Sequence, residues 1–186
     1  RLPRRQNPHM HMLEAMQAWQ ATAPDPAFEA AARVSLALCR DHFLIDGAIR
    51  EYFTQAWAPD PQLGHIIEPG HLEEWAWLLR QAKALGLDGG TAADALHRRA
   101  VKQGRTPLGL VREIDPSGGV IDGGRRLWAQ TEAIRTALAF AEPDLGERVD
   151  AVFDTHLATR IRGLWTDSYD AEGRSSDQAA PASSLY

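Results

Sequence analysis

A single cysteine, Cys39, stands in a sequence of 186 residues, so no internal disulfide can form. It lies in the apolar run Val34-Ser35-Leu36-Ala37-Leu38-Cys39, where it reads as a buried small hydrophobe and fits a reducing compartment better than a secretory one. A basic excess is missing as well. Twenty Lys+Arg against 25 Asp+Glu leave a net charge of −5, which argues against a sequence-independent grip on phosphate backbones or anionic membrane. Neither nucleic acid nor a membrane is therefore an expected partner. No apolar run approaches the roughly 18 residues needed to cross a bilayer, and no signal-peptide pattern opens the chain, so a cytoplasmic location is expected. Walker-type and dinucleotide glycine fingerprints are absent, which leaves nucleotide use without support.

What is present is an ordinary globular composition, 44% hydrophobic and 24% charged with six Trp, and its order along the chain is repetitive. Met12, Leu13, Met16 and Trp19 predict an amphipathic helix from Pro8 to about Ala21. Pro24-Asp25-Pro26 breaks it, and a second helix is expected from Ala27 to about Phe43. The short break makes the two an antiparallel hairpin. Leu44 to Phe53 then places β-formers around Asp46-Gly47, the signal for a small β-hairpin. The same series returns: helices from His71 to about Leu85 and, capped by Thr91, to about Gln103, then a strand-turn-strand pattern from Leu108 to Asp122. A third round has helices from Arg125 to about Ala141 and from Asp144 to Arg162, followed by an extended segment from Gly163 to Gly173. A unit of helix, helix and β-like excursion thus recurs every roughly 55–65 residues. Such hairpins stack as an open solenoid or close into a ring. In a ring, the starts of the inner helices gather at one mouth, and polar and aromatic residues are expected there: Asn7 and His11, His71, Glu74 and Trp75, Trp128 and Glu132.

Three constellations can carry chemistry. At 100° per residue His71, Glu74, Trp75 and Leu78 share a helix face, so an imidazole and a carboxylate are expected side by side over an indole. A histidine titrates near neutral pH, and a neighbouring carboxylate raises its proton affinity or fixes its tautomer. Polar groups over an aromatic floor also suit sugars, whose C–H faces pack on indole. Asn7, His11 and Glu14 share another face, with His9 pointing elsewhere. Trp128 and Glu132 lie one helical turn apart behind Arg125-Arg126, where an anion could bind, although arginines at helix ends are more often solvated or paired. A catalytic zinc needs at least three converging ligands, and His11 with Glu14, or His71 with Glu74, offers at most two, so no metal is expected. The basic run from His97-Arg98-Arg99 to Arg105 reads as a solvated helix face.

Arg5-Gln6-Asn7-Pro8-His9-Met10-His11-Met12-Leu13-Glu14-Ala15, Glu68-Pro69-Gly70-His71-Leu72-Glu73-Glu74-Trp75-Ala76-Trp77-Leu78-Leu79, Arg126-Leu127-Trp128-Ala129-Gln130-Thr131-Glu132-Ala133 and the ending Pro181-Ala182-Ser183-Ser184-Leu185-Tyr186 resemble, in that order, motifs of the N-acylglucosamine 2-epimerase family, which includes mannose isomerases and cellobiose 2-epimerases. The resemblance implies an all-α (α/α)6 barrel, here as one partial barrel domain over residues 1–186. It implies isomerisation or 2-epimerisation of a small sugar, mannose to fructose favoured by the Asn-Pro-His-Met-His wording, with no metal or redox cofactor. The ring opens, a histidine removes the C2 proton, and a cis-enediolate takes the proton back at C1 or on the other face of C2. By resemblance His71 and Glu74 are catalytic, while Asn7, His11, Trp128 and Glu132 bind the sugar.

The family pattern continues into a second histidine directly after the position of Tyr186, and its first helices, with a substrate-binding Arg, precede the position of Arg1. With Arg rather than Met at residue 1, the sequence is expected to be an interior, C-terminal-half piece of a longer polypeptide. A partial ring exposes an edge of apolar helix, so association is expected, as a homodimer or through the rest of the barrel. Two rival readings accompany this one: a non-catalytic helical module binding sugar or protein, and a glycoside hydrolase on the same barrel with Glu74 and Glu132 as its carboxylate pair.

Overall fold

A computed structural model describes residues 2–175. The ending Pro181 to Tyr186, which carries the last of the four motifs, lies outside the described residues. The described residues form six α-helices in three consecutive hairpins: α1 (Asn7–Thr22) with α2 (Pro26–Leu38), α3 (Pro69–Ala84) with α4 (Ala93–Arg99), and α5 (Leu127–Phe140) with α6 (Leu145–Val152). Proline stands in the first turn of α1, α2 and α3, where its missing N–H costs nothing. Asp25 caps α2, its Oδ1 accepting from the Ala27 N–H at 2.7 Å.

The outer helices are shorter than their periodicity suggests. Instead of running on as α-helix to Phe43, Gln103 and Arg162, α2, α4 and α6 each end in a five-residue π-helical turn, Cys39–Phe43, Ala100–Gly104 and Phe153–Leu157. Thr91 does not cap α4, whose N-cap is Ala92 with no side-chain bond. The first two π turns feed β-hairpins of matching register, Leu44–Ile45 against Ala48–Ile49 and Arg105–Thr106 against Gly109–Leu110. In the first, Asp46 and Gly47 both have positive φ, 51° and 71°, as a two-residue turn of this hand requires. The second hairpin begins earlier than the expected Leu108. A further ladder pairs Glu113–Ile114 with Val120–Asp122.

Each inner helix is entered from an extended residue that pairs with a later strand of its own unit. Arg4–Arg5 pairs with Tyr52–Phe53, Ile67 bridges to Ile114, and Arg125–Arg126 pairs with Ser168–Tyr169. These pairings draw the long excursions to the starts of α1, α3 and α5, so the three helix starts and the loops share one mouth.

Helix α3 is central, packed between α1 and α5 and backed by α4, and buries Leu72, Trp75, Leu78, Leu79 and Ala82. Met10 and Leu13 of α1, Phe43, Ile49, Phe53 and Ile114 from the excursions, and Leu96 of α4 complete the core. Cys39 is buried as expected, and burial pushes its thiol up to about 12, which leaves it unreactive at neutral pH. Buried amides tie the layers together: Gln17 donates from α1 to the Leu78 carbonyl at 3.0 Å, and Gln130 of α5 accepts from the Leu110 N–H and donates to its carbonyl, at 2.8 and 3.0 Å. Three hairpins in this arrangement are a partial (α/α)6 barrel. Its two flanks expose apolar side chains, Met12, Trp19 and Val34 on one and Leu138, Phe153, Ile161 and Leu164 on the other. No helix among the described residues is long and apolar enough to cross a membrane.

Candidate active site

His71 enters at the third residue of α3, one turn from a helix start that Pro69 opens. Its imidazole is 4% exposed, so its proton traffic depends on what touches it. Nδ1 lies 3.0 Å from Glu51 Oε2 and 3.7 Å from Glu68 Oε2, while Nε2 lies 3.1 Å from the Asn7 amide nitrogen. Burial by itself would lower the imidazole, but Glu51, Glu68 and the more distant Glu74 overcome it and hold His71 at about 9. The histidine therefore rests as an imidazolium at neutral pH. One ring face is covered by Trp128 from the start of α5, with centroids 4.9 Å apart and 34° between planes.

The expected pairing of His71 with Glu74 over Trp75 is corrected here. The carboxylate in contact with His71 is Glu51, delivered by the loop after Ile49, because the strand pairing of Arg4–Arg5 with Tyr52–Phe53 carries that loop over the start of α3. Trp75 is wholly buried and donates its indole N–H to Gln6 Oε1 at 2.7 Å, and the aromatic ring against the imidazole among the described residues is that of Trp128.

Glu74 turns instead to His11, 3.4 Å away, within a cleft of about 380 Å³ lined by His11, Glu14, Glu74, Glu132 and Arg135. The structure thus brings together His11, Glu74 and Glu132 in the cleft, and Asn7, His71 and Trp128 beside it, with Glu74 acting on both histidines. Glu14 and Glu74, with oxygens 3.8 and 3.4 Å from His11 Nδ1, raise it to about 10, and His11 in turn draws Glu14 down to about 2. Arg135 bonds Glu14 Oε1 at 2.6 Å, pairs with Glu132, and lies 4.0 Å from the centre of the Trp77 ring. Burial, reinforced by Glu74, pushes Glu132 up to about 7 despite Arg135. Both cations of the cleft are committed to carboxylates, and Glu132 holds its proton to higher pH than an ordinary carboxylate.

Among the described residues, two sets of three groups bring ligand atoms within 4.8 Å of one another, His11 with Glu14 and Glu74, and Glu51 with Glu68 and His71. That exceeds the two ligands per site that spacing on one helix allowed, since the third comes from another element each time. In both sets the histidine is already engaged by its carboxylates.

Gln6, Glu51 and Arg135 were not among the residues expected to act. Arg135 follows Glu132 by three and Trp128 by seven, so helical spacing alone could have found it. Nothing local marks Glu51, whose place is set by pairing across 47 residues of chain. His9, as expected, points away, against Phe43 and Trp57. The Arg126 guanidinium reaches Asp167 at 3.3 Å and Arg125 lies against Tyr169, the paired state anticipated for helix-end arginines. The reading of His97 to Arg105 as a solvated face holds for Arg98 and Lys102, which are exposed, and fails for His97, which is 3% exposed, between Glu73 at 2.7 Å and Glu142 at 3.1 Å. Arg99 donates to the Asp46 and Pro116 carbonyls, and Arg105 bonds Asp144.

Comparison with known proteins agrees with this architecture. The family model for N-acylglucosamine 2-epimerase (GlcNAc 2-epimerase) matches residues 1–186. A curated Rhizobium meliloti (strain 1021) protein named mannose-6-phosphate isomerase is 36% identical over 211 residues, covering 100% of this chain and 53% of that protein. Among solved structures, a D-mannose isomerase superposes with a TM-score of 0.77 at 23% identity, over 95% of this chain and 50% of the other. The cellobiose 2-epimerase of Spirochaeta thermophila gives 0.75 at 25% identity, over 96% and 47%. The chain spans about half the length of these relatives. With the whole sequence matched and the hairpins superposing on those of its relatives, the chain belongs to the N-acylglucosamine 2-epimerase family.

Proposed function

We propose that the protein is a sugar isomerase or 2-epimerase that interconverts an aldose with its ketose or C2 epimer, mannose and fructose being the favoured pair, by proton transfer at His71. The observation that carries this reading is the environment of His71: Nδ1 on a carboxylate, Nε2 at the Asn7 amide, and one ring face on Trp128, beside the cleft lined by His11, Glu14, Glu74, Glu132 and Arg135. An imidazolium first gives a proton up. Its Nε2 proton goes to the ring oxygen as the sugar opens, while a carboxylate of the cleft takes the proton of the C1 hydroxyl. The imidazole left behind is then the base for the C2 proton; returning it to C1 while the O2 hydroxyl proton passes to O1 gives the ketose, and protonation of C2 by an acid on the opposite face gives the epimer. Asn7 suits both states, its NH₂ donating to neutral Nε2 and its carbonyl accepting from the protonated one after an amide flip. His11, Glu74, Glu132 and Arg135 offer donors and acceptors for hydroxyls, and the Trp128 indole a face for C–H groups.

The charge of the cleft favours a neutral sugar over a phosphorylated one. His11 and Arg135 are each held by two carboxylates, so a phosphate placed there would meet three carboxylates and no uncommitted cation among the residues that line the cleft. The test is incubation of the full-length protein with D-mannose, mannose 6-phosphate or cellobiose in deuterated water. Deuterium at C1 or C2 of recovered mannose or fructose is expected, and no label from any of the three sugars sinks the proposal.

One observation favours a second reading. Glu132, holding its proton to higher pH, and Glu74 line the same cleft, the pairing of a carboxylic acid with a carboxylate that glycoside hydrolysis uses. Release of reducing ends from disaccharides, without label at C2, would decide for it.

A further inference from the structure

We propose that Glu51 is a positioning residue for this proton transfer: with Gln6 it holds His71 by Nδ1 and leaves Nε2 as the nitrogen that exchanges protons with substrate. The inference rests on the reading of His71 as the proton-transfer group.

The argument follows donors and acceptors outward from Trp75. An indole N–H can only donate, and this one is wholly buried, so the oxygen 2.7 Å away must be an acceptor; it is Gln6 Oε1. That fixes the Gln6 amide, whose NH₂ then points at Glu51 Oε2, 2.9 Å away, and at His71 Nδ1, 3.2 Å away. Two arrangements are open to Nδ1. Unprotonated, it would accept from the Gln6 NH₂ while its lone pair faced the Glu51 carboxylate oxygen at 3.0 Å. Protonated, it donates to that oxygen, and Gln6 does the same from the other side. The second arrangement gives both donors the Glu51 Oε2 acceptor and sets no lone pair against another, so the neutral histidine carries its proton on Nδ1.

Glu51 is itself held in place. It is 1% exposed, and its carbonyl accepts from the Gln6 N–H at 3.2 Å. Its second oxygen, Oε1, is buried without a hydrogen-bond partner among the described residues. Glu68, the N-cap of α3, is a near neighbour, with a carboxylate oxygen within 4.8 Å of one of Glu51, and burial, opposed by His71 and reinforced by Glu51 and Glu113, raises it to about 7. The charged and titratable groups that surround the pair are Glu68 and Glu74 on α3, Tyr52 beside Glu51, Arg5 on the first strand and Glu113 on the strand across the mouth. Trp128 closes the remaining ring face. Among these, Glu51 alone bonds a ring nitrogen of His71 through a carboxylate at hydrogen-bond distance.

The test is ¹⁵N NMR of histidine side chains in the full-length protein, with His71 assigned by its loss in His71→Gln. On raising the pH through about 9, Nε2 is expected to lose its proton while Nδ1 keeps it. In Glu51→Gln the midpoint falls by about one pH unit, kcat for sugar isomerisation falls about 10²-fold with little change in KM, and Glu51→Asp recovers part of both. A neutral His71 protonated on Nε2 overturns the proposal, as does a Glu51→Gln protein with unchanged His71 titration and pH–rate profile. The wild-type tautomer decides the matter even where Glu51→Gln does not fold. Retention of the Nδ1 proton without turnover of any sugar removes the isomerase reading and leaves the Glu51–His71 arrangement standing.

Discussion

Trp128 lies against His71, its indole reaching from the start of α5 to the start of α3, and the same ring rests on Gly70, where α3 has no side chain to hold it off. A Cβ at Gly70 would come within 2.8 Å of the Trp128 ring and of Ala129 Cβ. Gly70→Ala is therefore expected to cost about 1–3 kcal/mol in stability and to tilt the indole away from His71. Thermal unfolding reads the first effect and KM for sugar the second. A variant with wild-type KM would show that the indole does not define the sugar surface.

His71→Ala removes the group assigned to proton transfer while Glu51, Gln6 and Trp75 keep their mutual bonds. Solvent deuterium incorporation is expected to drop by about 10²–10⁴-fold, with far-ultraviolet circular dichroism unchanged. Wild-type exchange in this variant removes His71 from the chemistry.

Arg135 neutralises Glu14 and Glu132 together and covers Trp77. In Arg135→Gln the carboxylates of the cleft lose that charge, so Glu132 should titrate above its present value of about 7 and sugar affinity should fall about tenfold, equivalent to ~1.4 kcal/mol. The KM and the pH profile of kcat, measured together, check both.

Stability should decline in alkali and in strong acid for different reasons. His11, His71 and His97 are all raised in the fold, the first two to about 10 and about 9. The folded state then binds more protons than the unfolded chain, so their contribution is complete below about 6.5 and is lost as pH rises through the folded values. Glu14, drawn down to about 2, contributes in the opposite sense, and its share is lost as pH falls from its ordinary value of 4.5 toward 2. Thermal midpoints across pH 3–10 are expected to trace both limbs, and His11→Gln should flatten the alkaline limb.

His97→Ala leaves Glu73, which is wholly buried, without the imidazole that bonds it. A loss of about 3 kcal/mol is expected, against a much smaller loss for the double variant His97→Ala with Glu73→Leu. A double-mutant cycle measures the difference, and additive effects would show that the pair is not coupled.

Much of this was legible in the sequence, and the parts that were not share a cause. Helical periodicity gave the three hairpins, and spacing on one helix placed His11 with Glu14 and Trp128 with Glu132. What periodicity does not encode is which element comes to lie against which. The carboxylate for His71 was sought three residues along its own helix and lies twenty residues back, at Glu51. His97 was assigned to solvent because it sits among arginines, yet α4 turns it inward to Glu73 of α3 while its neighbour Arg98 stays exposed. Charge composition describes a segment, whereas burial is decided residue by residue on the helix surface.

The π-helical turns that close the outer helices have a consequence for how such a protein can diversify. Each ends its helix at a wide turn, and the first two pass the chain into a hairpin of matching register, Leu44 against Ile49 and Arg105 against Leu110. Beyond that fixed exit the excursions differ: the first unit resumes its scaffold at Ile67, and the second inserts the Val120–Asp122 strand before Arg125. Loops of different length can therefore leave from the same exit without moving the helices, so the frame that carries His71 and the rim around it are separable parts of the fold.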